Sequence, residues 1–558
     1  MKRVGILLNS MMCDRYIHEM AERLSASDKI ELFFIMHHEN SLEQESFWDK
    51  LKSRMRTRGV LRTLSLILFQ IISKVEYKLL SYTSTELQAH KTLLSIETFT
   101  QHEICYITPI FSPSGISVRY SEADIAKIKA LDLDLMVRGN AQGIFRGDII
   151  HASKEGILSF HHGDNRWNRG GPAGFWEVLL RKPSTGFIIQ VLSEDLDGGA
   201  VIFRGEMRTR RSYSENMVHL FHNSNPYLIK IILAYADTGS LPKAETEIPF
   251  GGKLYLTPSF VASMCYLGKT IGLFASMVFN RIVLGRHPRW GVAFVHSDWQ
   301  KATLRKGIAI KNPPKHFFAD PFVVTRAEQT ICYVEDYCYE KQKGYIAAIA
   351  LTGNKGYRLL GTVIEEPFHM SFPFLFEYEG ELYMVPETSQ SGSVRLYKCL
   401  EYPLKWEYQY DLLSDIHAFD SMIFEANGVW WLLCTVREQG KSDDSSSLYA
   451  FYSDNPISNT WKPHQMNPLI IDSQIGRNGG LLRNEAGNMV RVRQEQGFNQ
   501  YGKAFSLAEI IALSPDTFHE ETIAQFTPEF FEKIQGCHHL HSNGHYTVYD
   551  YMKQERLG

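Results

Sequence analysis

The chain has 558 residues, 44% of them hydrophobic and 22% charged, with 59 basic side chains against 62 acidic ones. That is the make-up of a folded protein of several domains, which excludes disordered, collagen-like and low-complexity classes. The near balance of charge leaves no overall basic field, so nucleic acid is not an expected partner.

In chain order, an apolar run at 3–9 (RVGILLN) meets Asp14 and Arg15 within a few residues, so it reads as a strand and not as a secretory leader. Helical spacing at 14–26 follows, then strands at 30–36 and 103–107, a helix at 121–131, and strands at 133–138 and 156–161. Alternation of this kind predicts a Rossmann-like, mostly parallel sheet with helices on both faces and ligands at the carboxyl ends of its strands. A helical insertion is expected at 41–95. Eight cysteines without a CxxC pair predict a reduced, cytoplasmic setting.

Two apolar stretches stand out. The basic run KLKSRMRTRGVLR (50–62) leads directly into TLSLILFQIISKV, and SFVASMCYLGKTIGLFASMVFNRIVLG occupies 259–285. Both are interrupted by polar residues, so neither is a clean membrane span. Two readings stay open: helices packed on their own domains, or peripheral contact at the inner face of an anionic membrane.

Near residue 305 helical spacing gives way to short aromatic strands. Ala319-Asp320-Pro321-Phe322, Ser371-Phe372-Pro373-Phe374, Phe419-Asp420-Ser421-Met422, Arg477-Asn478-Gly479-Gly480 and Cys537-His538-His539-Leu540 each precede a second apolar strand, and they recur about 50 to 60 residues apart. One four-stranded blade per repeat predicts an all-β five-bladed propeller. The expected division is therefore an α/β domain at 1–245, a helical linker at 246–305 and the propeller at 306–558. Cys537, His539 and His541 alternate along one strand, but no second ligand pair accompanies them, and no metal site is expected.

The densest candidate chemistry lies at 156–202. His161 and His162 end a strand, and a polar loop carrying Asp164 and Arg169-Gly170 follows. A Thr185-Gly186 strand then leads to the acidic turn Glu194-Asp195-Leu196-Asp197-Gly198-Gly199. A strand-end histidine oriented by a turn aspartate is a general base near neutral pH. Arg169 suits bidentate binding of a carboxylate or phosphate.

In its order of Gly156, His161, Arg169-Gly170, Thr185-Gly186 and Asp197-Gly198-Gly199, the first 210 residues resemble the formyltransferase family, which includes methionyl-tRNA and sugar N-formyltransferases. The resemblance implies His161 as base, Asp197 as its support and N10-formyltetrahydrofolate as formyl donor. It also implies donor contacts from Arg138-Gly139-Asn140, Asp195 and Gly198, and acceptor contacts from His162, Asp164 and Arg169. Ser159 stands where the family has its oxyanion-holding asparagine, and the loss of one such donor typically costs about 3 kcal/mol.

The second half resembles glycoside hydrolase family 43-like propellers and the N-terminal domain of glucosamine inositolphosphorylceramide transferases, which implies sugar contacts at Asp320 and Asp420. Taken together, these features give formyl transfer to an amino sugar or sugar nucleotide as the leading expectation. The alternatives are a propeller-centred glycan hydrolase or glycosyltransferase, and a non-catalytic glycan-binding protein. Oligomeric state is open.

Overall fold

The computed structural model describes residues 1–38, 55–56, 59–112, 115–194, 198–246 and 249–557. It divides into two units, Met1–Ile271 and Gly272–Gly558.

The first unit is built on seven strands: β1 (Lys2–Leu8), β2 (Ile30–His37), β3 (Cys105–Ile107), β4 (Leu135–Arg138), β5 (Ile157–His161), β6 (Ser184–Val191) and β7 (Ala200–Arg208). Their order in the sheet is β7-β6-β5-β4-β1-β2-β3. The run from β3 to β5 is parallel, whereas β6 and β7 are antiparallel additions at one edge. Val4, Ile6, Leu7, Leu8, Leu32, Leu135 and Val137 are buried, as expected of strands covered on both faces.

The helices are α1 (Arg15–Ser25), α2 (Val60–Ser81), α3 (Glu122–Ala130), α4 (Phe175–Leu180), α5 (Tyr213–Thr238) and α6 (Phe260–Val278). Local chemistry sets their ends. Ser212 Oγ accepts the Glu215 N–H at the start of α5 while donating to the Glu215 carboxylate, a capping box. Gly239, at φ +76°, terminates the same helix in the left-handed conformation. Strand order reverses beside β1, which opens a crevice at the carboxyl ends of β1 and β4.

The second unit is a ring of five sheets. Four follow in sequence, at 316–364, 371–414, 417–463 and 477–526. The fifth combines the two ends of the unit: Arg286–Val295 pairs antiparallel with Thr547–Arg556 over ten residue pairs, flanked by Ile308–Ala309 and Leu540–Ser542. The stretch expected as a helical linker at 246–305 thus contains a full propeller strand. The first strands of the four sequential sheets and Leu540–Ser542 of the fifth touch in a closed cycle, so they surround a common axis.

Each of the first four blades carries the same irregularity in its innermost strand. The register slips between Ala319 and Phe322, Ser371 and Phe374, Phe419 and Met422, and Asn478 and Gly480. Asp320 (φ 49°), Phe372 (φ 45°), Asp420 (φ 50°) and Gly480 (φ 129°) occupy these bulges in the left-handed region. A bulge re-aims the side chain at that point of the strand. For non-glycine residues the conformation costs on the order of 1–2 kcal/mol each, and such strain clusters at functional sites.

Candidate functional site

In the first unit, a cavity of about 400 Å3 opens at the ends of β4 and β5, lined by Tyr16, Arg138, Asn140, Ser159, His162 and Phe221 among others. Gly139 also borders it, and its N–H donates to the Leu7 carbonyl at 3.0 Å. A Cβ at Gly139 would lie 2.6 Å from Leu8 Cδ2 and 3.0 Å from Leu7 O. Asn140 locks this loop to β1, its Oδ1 accepting from Asn9 N and its carbonyl from Asn9 Nδ2, both at 2.7 Å. Arg138 Nε donates to the Ala141 carbonyl at 3.1 Å and its guanidinium lies over Phe145. Five residues read separately in the sequence (Arg138, Gly139, Asn140, Ser159 and His162) therefore border one cavity.

The chemistry expected of several of them is already committed elsewhere. Ser159 is buried and its Oγ donates to the Phe160 carbonyl at 3.2 Å. His161 is not part of the cavity lining; its Nε2 lies 3.1 Å from the Asn168 carbonyl. His162 is sandwiched between Phe160 and Phe221, with ring centroids 4.7 and 3.8 Å away. Burial, with the charge of His161, pushes its pKa down to about 3, so it stays neutral.

Asp164 pairs with Arg166 at 2.9 Å and Arg204 at 2.6 Å. Desolvation would raise its carboxyl, but hydrogen bonds from Arg166 and the two guanidinium charges hold it below the usual range. Arg169 donates to the Asn165 carbonyl at 3.2 Å and its guanidinium lies over the ring of Phe250, from a segment distant in sequence. Neither Asp164 nor Arg169 is among the residues that line the first-unit cavity. Asp195 and Asp197 lie outside the described residues, and Gly198 is half-buried beside them.

Glu177 on α4 carried no sequence signal. It is buried, and its Oε2 has no hydrogen-bond partner among the described residues. Desolvation pushes its carboxyl up to about 7 against the pull of Lys182 and His161.

The second unit gathers titratable groups around the propeller axis. Asp320 and Asp420, from the bulges of blades one and three, are both buried. Asp420 is held by Arg477 Nε at 2.6 Å and Gln494 Nε2 at 2.9 Å. Asp320 accepts the Phe372 N–H at 3.3 Å through Oδ2, while its buried Oδ1 has no hydrogen-bond partner among the described residues. His538 stands 3.6 Å from Asp320 and 2.5 Å from Asp550, and stacks on Trp290 at 4.0 Å. Glu335 lies within the second strand of blade one (Gln329–Cys338) and Glu387 ends that of blade two (Glu381–Glu387); His369 Nε2 lies 3.7 Å from the first and 4.0 Å from the second.

Crowding of like charges in a desolvated space sets the protonation of this cluster. Burial, reinforced by Asp420 and Asp550 against the pull of His538, pushes Asp320 up to about 7. Burial and the charges of Asp320, Glu387 and Asp420 drive Glu335 well above the carboxylate range. His538 moves the other way: burial disfavours its charge, but Asp550 and Asp320 outweigh that and raise it. Burial also raises Asp420, against the pull of the Arg477 charge and hydrogen bond. The arrangement thus supplies a carboxyl that stays protonated, a second that exchanges its proton near neutral pH, and a third held in place by Arg477.

One ligand atom from each of Asp320, His538 and Asp550 lies within 4.8 Å of the others, close enough to share a cation. The histidine in this group is His538, not the alternate set His539 and His541. His541 Nδ1 instead accepts the Val323 N–H at 3.2 Å, and His539 packs against Phe322 and Phe372.

Residues 306–545 match the family described as "Glucosamine inositolphosphorylceramide transferase 1, N-terminal". The likeness is to a sugar-transferase region. Glucosamine inositolphosphorylceramide transferase 1 of Arabidopsis thaliana is 34% identical over 211 residues, which make up 37% of this chain and 27% of that protein. The Oryza sativa subsp. japonica protein of the same name is 30% identical over 210 residues, 37% of this chain and 28% of that one. The alignment thus spans just over a quarter of either relative. Among solved structures, the catalytic domain of a Coprinopsis cinerea GH62 α-L-arabinofuranosidase aligns with a TM-score of 0.34 and 13% identity, covering 47% of this chain and 97% of that one. A thermostable family-43 glycoside hydrolase aligns with a TM-score of 0.29 and 11% identity, over 38% and 76% of the two chains. The matched family and the two plant relatives carry the name of a glucosamine transferase, and formyl transfer has no support among these comparisons.

Proposed function

We propose that the second unit is a carbohydrate-active centre, in which the buried carboxylates at the propeller axis bind a glycan and carry out glycosyl transfer or hydrolysis. The observation that carries this reading is the split protonation of one constellation: Glu335 held protonated, Asp320 poised near 7, and Asp420 pinned by Arg477. Glycosidic chemistry needs such a pair, because one group must give a proton to the leaving oxygen while another takes one from the attacking hydroxyl or water. Glu335 gives its proton as the bond from the anomeric carbon to the leaving oxygen breaks. Asp320 receives one as the bond to the incoming oxygen forms, and Asp420 tunes Asp320 through its charge. The match of 306–545 to a glucosamine inositolphosphorylceramide transferase region supports a sugar-bearing substrate.

This reading displaces formyl transfer from the leading place. N10-formyltetrahydrofolate chemistry needs a free oxyanion donor and an available histidine at the first-unit cavity. Ser159 Oγ has the Phe160 carbonyl within hydrogen-bond distance and His161 lies outside that lining, so formyl transfer is kept as the second reading. The deciding experiment incubates the full chain with a panel of aryl glycosides and sugar nucleotides and follows products by mass spectrometry. Turnover abolished by Asp320→Asn and by Glu335→Gln, but retained in His161→Ala, supports the axis as the centre. Turnover lost in His161→Ala and kept in Asp320→Asn overturns it, and sugar binding without turnover reduces the unit to a glycan receptor.

A further inference from the structure

The two helices flagged by their apolar runs are amphipathic in the inverted sense. Along α6 the residues that face the protein are Ser263, Tyr266 and Thr270. The aliphatic ones face outward: Val261 is 75% exposed, Ile271 58%, Val278 54% and Ile282 75%. Helix α2 repeats the pattern. Thr63 and Ser65 are buried with Phe69 and Ile72, while Leu61 (83%) and Leu79 (64%) are open.

The polar groups are used inward, joining the two helices to each other and to α5. Ser65 Oγ accepts the Phe260 N–H at 3.1 Å, Tyr266 Oη donates to Glu76, and Glu76 Oε1 accepts the Ser214 N–H at 2.8 Å. A helix on a protein in water buries its aliphatic stripe and exposes its polar one. Small and polar residues inside with aliphatics outside is the arrangement that hydrocarbon surroundings favour.

Length and charge agree. From Phe260 the helix runs through a closing turn to Val283, 24 residues with a mean hydropathy of 1.4 in its most apolar window, and only 11% of that window is buried. At 1.5 Å per residue such a rod is about 36 Å long, ample to lie across many lipids. Lys269, the one charge in its middle, is exposed, but its Nζ is tied to the protein, donating to the Leu179 carbonyl at 2.9 Å. Between residues 248 and 297 the sequence has no Asp or Glu, and in α2 the one acid is Glu76, which is used inward. Arg62, Lys74, Lys78 and Arg281 are exposed.

From this we infer that the outer face of α2 and α6 is a monotopic membrane-docking surface, whose aliphatic side chains enter one leaflet of an anionic bilayer while its basic side chains meet the lipid headgroups. Anionic headgroups attract such basic residues within a Debye length of the surface.

The test is flotation of the full chain with phosphatidylcholine vesicles containing phosphatidylglycerol. The wild type is expected to float with the vesicles and to be released by high salt. Ile271→Glu/Val278→Glu, and separately Leu61→Glu/Leu79→Glu, should each lower the bound fraction at least about tenfold, because a charge in hydrocarbon is costly. All four positions are exposed, so an unchanged circular dichroism spectrum and melting temperature will show that the fold survives. A wild type that stays with the vesicle-free fraction, or variants that float equally well, overturns the inference. So does a wild-type dimer in light scattering that the same substitutions split, since a second copy would then be what covers the face.

Discussion

Arg477, at the start of blade four, reaches Asp420 in the bulge of blade three, with Nε 2.6 Å from Oδ2 and both side chains buried. The same guanidinium donates to the Asp444 carbonyl at 2.9 Å and lies over the rings of Phe419 and Tyr501. One residue thus ties two neighbouring blades and holds Asp420, one of the charges that act on Asp320 after burial. Removing one member of a buried pair leaves its partner uncompensated, typically at 3–5 kcal/mol. Arg477→Met should therefore lower stability by about 4 kcal/mol in urea titration. Arg477→Met/Asp420→Leu, in which no charge is stranded, should recover most of that loss.

Asp320 combines chemistry with backbone strain. Asp320→Asn is expected to reduce glycosyl turnover by about a hundredfold to ten-thousandfold, the range usual for a lost proton-transfer group. At φ 49° the backbone favours glycine, so Asp320→Gly should be more stable than Asp320→Ala by about 1 kcal/mol while being equally inactive. Equal stability of the two would show that the bulge is unstrained.

Glu177 makes stability depend on pH with an unusual sign. Its carboxyl rises to about 7 on folding, so between the ordinary carboxylate range and 7 the native state binds the extra proton. Stability then falls as pH rises through that window, and the full penalty stands above it. Glu177→Gln removes the penalty and should stabilise the protein at pH 8 by on the order of 3 kcal/mol relative to its effect at pH 4. Chemical denaturation at the two pH values reads this directly.

His538 works in the opposite direction. Its imidazole is raised by Asp550 and Asp320 despite burial, so its ion pairs stabilise the fold below the ordinary histidine range and are lost as pH climbs through the raised value. Asp550→Asn removes the nearest counter-charge. The alkaline loss of stability should then begin at a lower pH, measurable as a shift in the pH dependence of the urea midpoint.

Gly139 leaves no room for a side chain, with Leu8 Cδ2 2.6 Å and Leu7 O 3.0 Å from an added Cβ. Gly139→Ala should cost about 1–3 kcal/mol by displacing the loop from β1. It should also weaken any ligand of the first-unit cavity, which isothermal calorimetry with candidate ligands will detect.

Much of the fold is legible in the sequence, because periodicity is a local property. The strands of the parallel sheet fall within a residue or two of their expected places, and Ser121 marks the start of α3 by accepting the Asp124 N–H at 3.1 Å. The repeats announce the blades, and Asp320 and Asp420 could be picked out by their equivalent positions. What local pattern cannot reveal is convergence. His369 meets Glu335 and Glu387 only because blades one and two pack side by side, and His538 meets Asp320 only because the ring closes. Arg286–Val295 read as linker because its pairing partner lies at the other end of the unit. Glu177 looked like any charge on a short helix, since nothing in its neighbours in sequence foretells burial without a partner.

The shared fifth sheet has a further consequence for how the second unit comes into being. Arg286–Val295 leaves the ribosome first and must wait, its edge unsatisfied, until Thr547–Arg556 arrives to clasp it. The earlier blades can form as they emerge, but the axis they enclose stays open to water until that last joint is made. Assembly of Asp320 with His538 and Asp550, and the dry surroundings that set their protonation, therefore waits on the joining of the two ends of this unit.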